Sequence, residues 1–181
     1  FEMINDSYEL FPEIRISLFQ LLNVLMSKVF FLIQSFEEEI FTSIIDCLLS
    51  GIKNPKYEIS SRALCCVSDL LNDVAENEDE EFKNAFYNSF YFRILFELFS
   101  ALTDRGHKLL FLELSKAIMH LFQIVYQQKV ILGENSNTEV IVAEELAAKL
   151  SKDFPHINIE NLFELAKSLM MESESFGQFQ Q

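Results

Sequence analysis

Apolar residues recur at steps of three and four along nearly the whole chain, which is the spacing of one face of an α-helix. The first predicted helix covers residues 9–33 and carries two adjacent apolar stripes, so only a narrow polar strip remains. Pro12 suits its first turn, where a missing N–H costs little. Because a helix that is apolar around most of its circumference needs neighbours on several sides, this segment predicts packing within layers of helices.

Six further helices are marked by capping and breaking residues. Ser35 followed by Glu38 forms a capping-box pattern that opens the second helix, and we expect Gly51 and the dipeptide Asn54, Pro55 to end it. Asn54 is expected to cap the third helix, with Pro55 at its first position. The third helix ends in an acidic stretch, and the remaining helices are predicted over residues 82–103, with a kink near Tyr91, and over residues 107–131, 138–152 and 158–171. Residues 172–181, rich in Ser and Gln, are expected to form a frayed tail.

The predicted helices also show a longer regularity. Helices of one kind begin near residues 9, 56 and 106, and their expected partners begin near residues 36, 82 and 138. These spacings are close to the period of about 40 to 47 residues found in HEAT and armadillo helix pairs. The predicted fold class is therefore all-α, a HEAT-repeat α-solenoid over residues 1–171 with about three antiparallel helix pairs plus a terminal helix.

Charge narrows the range of partners. The 181 residues carry a formal net charge of −14, which disfavours binding to nucleic acid or to an anionic membrane surface. The same field favours a basic protein partner. The longest strongly apolar uncharged run, residues 16–27, is shorter than the about 20 residues that a spanning helix needs. Since the chain begins at Phe1 rather than Met, we expect a fragment of a longer protein.

Candidate catalytic groups are few and scattered. The sequence has no phosphate-binding glycine loop, no zinc-protease motif and no nucleophile-elbow motif. Glu113 and His120 share a helix face, and Cys65 with His120 could be imagined as a nucleophile and its base, but no third group positions either pair. Cys47, Cys65 and Cys66 form no metal-binding or redox motif and are expected to be reduced core thiols. We expect no enzymatic activity, no cofactor and no metal site.

Two runs are candidate binding surfaces. The first is an acidic stretch that could attract a basic partner, although such charge runs are more often solvated loops between repeats. The second is an aromatic run that could be a docking patch, although its four-residue steps favour the core. The acidic residues are Glu76, Glu78, Asp79, Glu80 and Glu81, and the aromatic residues are Phe86, Tyr87, Phe90, Tyr91 and Phe92.

Three stretches, in a fixed order, carry a family resemblance. The first joins Met3, Ile4 and Asn5 to residues 8–15, the second lies within residues 86–104, and the third runs from Leu150 to the turn Phe154, Pro155, His156. Their order and spacing resemble the late HEAT repeats of the exportin-1 family of nuclear export receptors, in the karyopherin superfamily. Residues 105–108 and 133–137 depart from the family's pattern. A generic HEAT scaffold unrelated to nuclear export is the alternative, and it has no reason to share the ordered matches.

The resemblance implies a segment from the C-terminal end of a ring-shaped solenoid. The family carries cargo proteins with export signals out of the nucleus together with GTP-bound Ran, and it performs no chemistry itself. The resemblance also implies nucleoporins as partners and shuttling between nucleus and cytoplasm. The implied role of this segment is structural: it contributes to ring closure and to Ran-linked conformational control. The family's reactive cysteine lies in more central repeats, so none of the three cysteines here corresponds to it. The chain ends at Gln181, before the acidic tail of the family, so we expect tail-mediated autoinhibition to be absent or truncated.

Overall fold

The computed structural model describes residues 12–33, 38–127, 129–132 and 137–178, and within those ranges every regular element is helical. The predicted all-α class is therefore confirmed. The helices are α1 Pro12–Ile33, α2 Glu38–Ile52, α3 Tyr57–Ala75, α4 Glu80–Thr103, α5 Phe111–Tyr126, α6 Thr138–Asp153 and α7 Ile159–Gln178, with a 3-10 helix, Arg105–Leu110, between α4 and α5.

The helices stack in two layers. Helices α1, α3, α5 and α7 contact one another in succession, and α2, α4 and α6 form a second succession beside them. One continuous apolar core lies between the layers, and side chains from most of the helices are fully buried in it, among them Phe19, Leu48, Leu70, Tyr91 and Phe122. This is the stacking order of an α-solenoid, in which each pair buries the apolar face of the next.

The closest partners differ from those expected. The sequence periodicity placed α1 with α2 and α3 with α4, but the most extensive contacts within pairs join α2 to α3, α4 to α5 and α6 to α7. The unpaired helix is therefore α1 rather than α7. A repeat period identifies helices of the same layer, but it does not decide which chain neighbour packs more closely, because side-chain size at the contact sets that distance.

Gly51 shows how side-chain size controls the distance between packed helices. Helix α2 ends at Ile52, between Gly51 and the dipeptide Asn54, Pro55, as predicted, and Gly51 lies in its last turn. A Cβ atom placed on Gly51 would lie 2.8 Å from Ala63 Cβ and would overlap the ring of Phe19. Glycine is needed here because α1 and α3 both approach α2 at this point.

One of the predicted helix starts falls elsewhere, while Ser35, the residue predicted to open the second helix, lies outside the described residues. Asn54 does not cap α3: its side-chain oxygen accepts a hydrogen bond from the Lys56 N–H at 3.0 Å, and the helix begins at Tyr57. Asn158, by contrast, accepts from the Glu160 N–H at 3.0 Å at the start of α7. The same residue type closes a turn in one place and caps a helix in the other.

The two long central helices also differ from prediction. Helix α4 is a single helix, without the kink expected near Tyr91. The helix expected over residues 107–131 is replaced by the 3-10 helix, where His107 has φ −104° and ψ 19°, by α5, and by a non-helical segment at residues 129–132. At the C-terminal end, α7 continues beyond the predicted limit at Met171 as far as Gln178, and Ser173 is fully buried.

The stretch Arg105–Tyr126 is long and apolar enough by composition to be considered as a membrane span, and 44% of its most apolar window is buried. The 3-10 geometry of its first turns leaves α5 with 16 residues, short of the about 20 that cross a bilayer. Leu114, Leu121 and Phe122 from this helix are buried in the core. Packing within the stack therefore accounts for the buried apolar face of α5.

Candidate partner-binding surfaces

The acidic stretch connects α3 to α4, and two of its five carboxylates stabilise the junction itself. Asp79 caps α4, since its Oδ1 accepts hydrogen bonds from the N–H groups of Glu81 and Phe82 at 3.1 and 3.0 Å. Glu80 forms an ion pair with Lys83, with 2.7 Å between Oε1 and Nζ. Both contacts suit a helix N-terminus, because the positive end of the helix dipole stabilises a negative charge there.

The other three residues of the stretch, Glu76, Glu78 and Glu81, are exposed. The negative surface continues onto the last turns of α3. There, burial raises the pKa of Asp73, and the neighbouring carboxylates of Asp69 and Glu76 add to the shift. We use the name acidic junction for Glu76, Glu78 and Glu81 together with Asp69 and Asp73. It is a concentrated negative surface between two helix pairs, of the kind that attracts a basic protein face.

A groove with a volume of about 430 Å³ runs between α3 and α5, and the residues named above as candidate catalytic groups line it. Cys65 lines it from α3, while Glu113 and His120 line it from α5. That Cys65 and His120 line one groove could not be predicted from a local pattern, because 55 positions separate them. Cys65 is exposed rather than part of the core, which corrects the prediction for this thiol, whereas Cys66 is buried.

The electrostatics of the groove work against nucleophilic chemistry. Although the Cys65 side chain is exposed, partial burial of its sulfur, followed by the Asp69 carboxylate, raises the pKa of the thiol. Burial lowers the pKa of His120, an effect that a hydrogen bond with the Leu71 carbonyl partly opposes. A thiol that stays protonated is a weak nucleophile, so this pair lacks the activation that catalysis needs.

Polar contacts between helices were not foreseen from the sequence. The Asn23 side chain on α1 donates to the Asp69 carboxylate on α3 at 3.0 Å, and the Gln123 side chain on α5 donates to the Ser173 carbonyl on α7 at 2.6 Å. On α4, the Tyr91 hydroxyl donates to the Leu121 carbonyl of α5 at 3.2 Å. These partners are 30 to 50 residues apart, so no local pattern could indicate them.

The aromatic run lies in the core, as its four-residue steps predicted. Phe86, Tyr87, Phe90 and Tyr91 are buried, and Phe92 is partly buried. Phe41 from α2 packs edge-on against Phe86, with ring centroids 5.9 Å apart. These residues join α2 to α4 and leave no docking patch.

The exposed apolar side chains of the described residues include one group at the start of α5 and another on α1. At the start of α5, Leu109 is 76% exposed, Phe111 60% and Leu112 56%. On α1, the exposed residues Ile14, Leu21 and Val24 lie seven and three positions apart and so share a helix face. Exposed apolar groups of this size on a helix stack are typical of surfaces that bind other protein segments.

The fold and these surfaces together define the class: an α-solenoid with exposed acidic and apolar surfaces. The sequence model described as CRM1 C terminal matches residues 1–181, and the chain belongs to that family.

Relatives named as exportins agree with this assignment. The chain is 24% identical over 187 residues to Protein EXPORTIN 1B of Arabidopsis thaliana, covering 98% of the chain and 17% of the relative. It is 28% identical over 123 residues to Exportin-1 of Dictyostelium discoideum, covering 68% of the chain and 11% of the relative. Exportin-1 of Schizosaccharomyces pombe is 24% identical over 177 residues, or 93% of the chain and 16% of the relative. The chain thus spans less than a fifth of the length of these relatives.

Proposed function

We propose that this chain is a segment of a nuclear export receptor, which carries cargo proteins out of the nucleus together with GTP-bound Ran. The observation that carries the proposal is the family match over residues 1–181 on a helix stack of the expected kind. Because the chain is a small part of its relatives, the cargo, Ran and nucleoporin contacts belong to a longer protein that shuttles between nucleus and cytoplasm.

Within such a receptor the segment acts mechanically. Small rotations between stacked pairs add up along a solenoid, so the angle at each junction contributes to opening or closing a ring. A partner that binds one ring shape better shifts the population toward it. The segment therefore serves ring closure and Ran-linked conformational control, and it performs no chemistry and contacts neither nucleic acid nor membrane.

The acidic junction is the proposed contact for a basic partner face. Asp79 and Glu80 are engaged in the helix start, whereas Glu76, Glu78 and Glu81 expose their carboxylates. Charges at the rim of an interface act mainly on the association rate and lose their effect in salt. We expect the acidic junction to speed the association of Ran-GTP rather than to slow its dissociation.

The test uses the full-length parent receptor with Glu78→Gln and Glu81→Gln, which leave the cap and the Lys83 ion pair intact. We expect association with Ran-GTP to slow by about three- to tenfold near 0.1 M salt and to match wild type at high salt, as for steering charges. Glu144→Gln with Glu145→Gln, on the exposed face of α6, is the control with the same charge change. Equal rates for the junction and control variants would refute a role for the acidic junction.

A further inference from the structure

Residues 129–132, just before α6, lie against α4 and expose their side chains alternately. Val130 and Leu132 are each 2% exposed and join the core, whereas Ile131 between them is 54% exposed. Alternate burial is the signature of an extended chain lying on a surface. The segment is therefore held as an extended peptide would be, although it belongs to the same chain.

Two asparagines one helical turn apart on α4 bind the main chain of this segment. Asn84 Oδ1 accepts the hydrogen bond of the Ile131 N–H at 3.3 Å. Asn88 Nδ2 donates to the Ile131 carbonyl at 3.0 Å and also to the Asn84 carbonyl at 2.8 Å, which orients its amide. Both polar groups of one peptide residue are thus satisfied by side chains that lie 47 and 43 positions earlier in the sequence.

The opposite side of the segment is bound by α6. The Thr138 hydroxyl accepts from the Leu132 N–H at 3.2 Å and donates to the Val130 carbonyl at 3.5 Å. The segment consequently bridges α4, which belongs to one helix pair, and α6, which opens the next. Few of the described residues of α4 and α6 touch directly, so this bridge is a large part of what joins the two helices.

We propose that Asn84 and Asn88 form a binding site for an extended chain with alternating apolar side chains, that residues 129–132 occupy this site, and that the occupied site latches α4 to α6. The site is suited to an extended peptide, because the side-chain amides of Asn84 and Asn88 bind main-chain groups. Every second side chain of such a peptide then enters the apolar core. The latch sets the angle between two successive helix pairs, the variable on which the shape of a solenoid depends.

The test compares Asn84→Asp with Asn88→Asp in the full chain, by amide hydrogen exchange followed by NMR. Both variants add one negative charge to the same face of α4. An aspartate at position 84 still accepts the Ile131 N–H, whereas one at position 88 cannot donate to the Ile131 carbonyl and repels it. We expect exchange at Ile131 in Asn84→Asp to stay within about twofold of wild type, and in Asn88→Asp to rise about five- to thirtyfold.

The latch also predicts an effect on α6. The Ile141 N–H, which donates to the Asn137 carbonyl in the first turn of α6, should exchange faster in Asn88→Asp and in Thr138→Val. Amides of α2 should keep their wild-type rates in all three variants, which shows that the fold is intact. Equal rates at Ile131 in Asn84→Asp and Asn88→Asp, an unprotected Ile131 in wild type, or an unchanged Ile141 would each overturn the proposal.

Discussion

At the scale of single residues, the structure gives Gly51 and Asp79 roles that the sequence leaves open. Gly51 lies at the end of α2, where it was expected, and it also lets Phe19 and Ala63 approach this helix. The sequence could not show that second role, because Phe19 and Ala63 lie 32 and 12 positions away. Asp79 was expected to belong to a partner-binding loop, yet its carboxylate caps α4. The start of α4 was predicted at residue 82, two positions late, so the cap was missed.

Replacement of Gly51 by Ala is expected to destabilise the chain. Alanine favours a helix interior by about 1 kcal/mol over glycine, but its methyl group would overlap the Phe19 ring and crowd Ala63. Overpacking of this kind costs about 1–3 kcal/mol, so we expect a net loss of about 1 kcal/mol in the free energy of unfolding. Urea unfolding measures it. Gly106→Ala, where the nearest atom is an exposed Asp104 oxygen at 3.3 Å, should change stability by less than about 0.5 kcal/mol.

His120 is expected to make stability depend on pH. Burial lowers its pKa in the folded state, so the unfolded chain, with a pKa near the ordinary value of about 6.5, binds the proton more readily. Stability should therefore fall as the pH drops from 7 toward 5. In His120→Gln the slope over this range should be smaller, as measured by urea unfolding at several pH values. Asp73, whose pKa is raised by burial, acts in the opposite direction, but it is present in both proteins, so the comparison with His120→Gln isolates the histidine. An identical slope in the variant would contradict this assignment.

At the scale of elements, the spacing of apolar residues predicted where helices form, but it did not predict where each helix begins and ends. The α4 stripe at Phe86, Phe90, Ile94 and Leu98 is buried as expected. The long helix predicted to include residues 129–131 fails, because Lys129 instead donates its N–H to the Ile124 carbonyl and Ile131 is held by α4. An apolar run such as Val130, Ile131, Leu132 suits either a helix or an extended segment, and the tertiary partner decides between them.

The start of α4 offers a test of how the acidic stretch divides between structure and binding. Asp79→Ala removes the acceptor for two backbone N–H groups and should lower the free energy of unfolding by about 1 kcal/mol, as loss of a helix cap does. Glu78→Ala, one position earlier and exposed, should change it by less than about 0.5 kcal/mol. Thermal unfolding followed by circular dichroism compares the two. A larger loss for Glu78→Ala than for Asp79→Ala would contradict the division.

At the scale of the whole molecule, the layered stack of helices explains why half of the residues are hydrophobic and why glycine and proline are rare. Each middle helix is covered on several sides, so it needs more than one apolar stripe. The layers could be predicted, since helices of one layer recur at a period. The pairing could not, because it depends on the close approach of α2 and α3 at Gly51. The connection between α4 and α6 could not be predicted either, because it depends on the latch at Asn84 and Asn88.

The stack is also the part of the molecule on which the export proposal depends. Acidic and apolar surfaces on a helix stack suit many scaffolds, and the family match favours a segment of a nuclear export receptor. Under the export proposal, cargo and GTP-bound Ran stabilise the same ring conformation, so we expect them to bind cooperatively.

The most direct measurement is a calorimetric titration of the full-length parent with GTP-bound Ran, in the presence and absence of a leucine-rich export peptide. We expect the peptide to tighten Ran binding by about 5- to 150-fold, the usual range of allosteric coupling, with the reciprocal gain for the peptide. Equal Ran affinity with and without the peptide, or no Ran binding by the parent, would contradict the assignment of this chain to a nuclear export receptor.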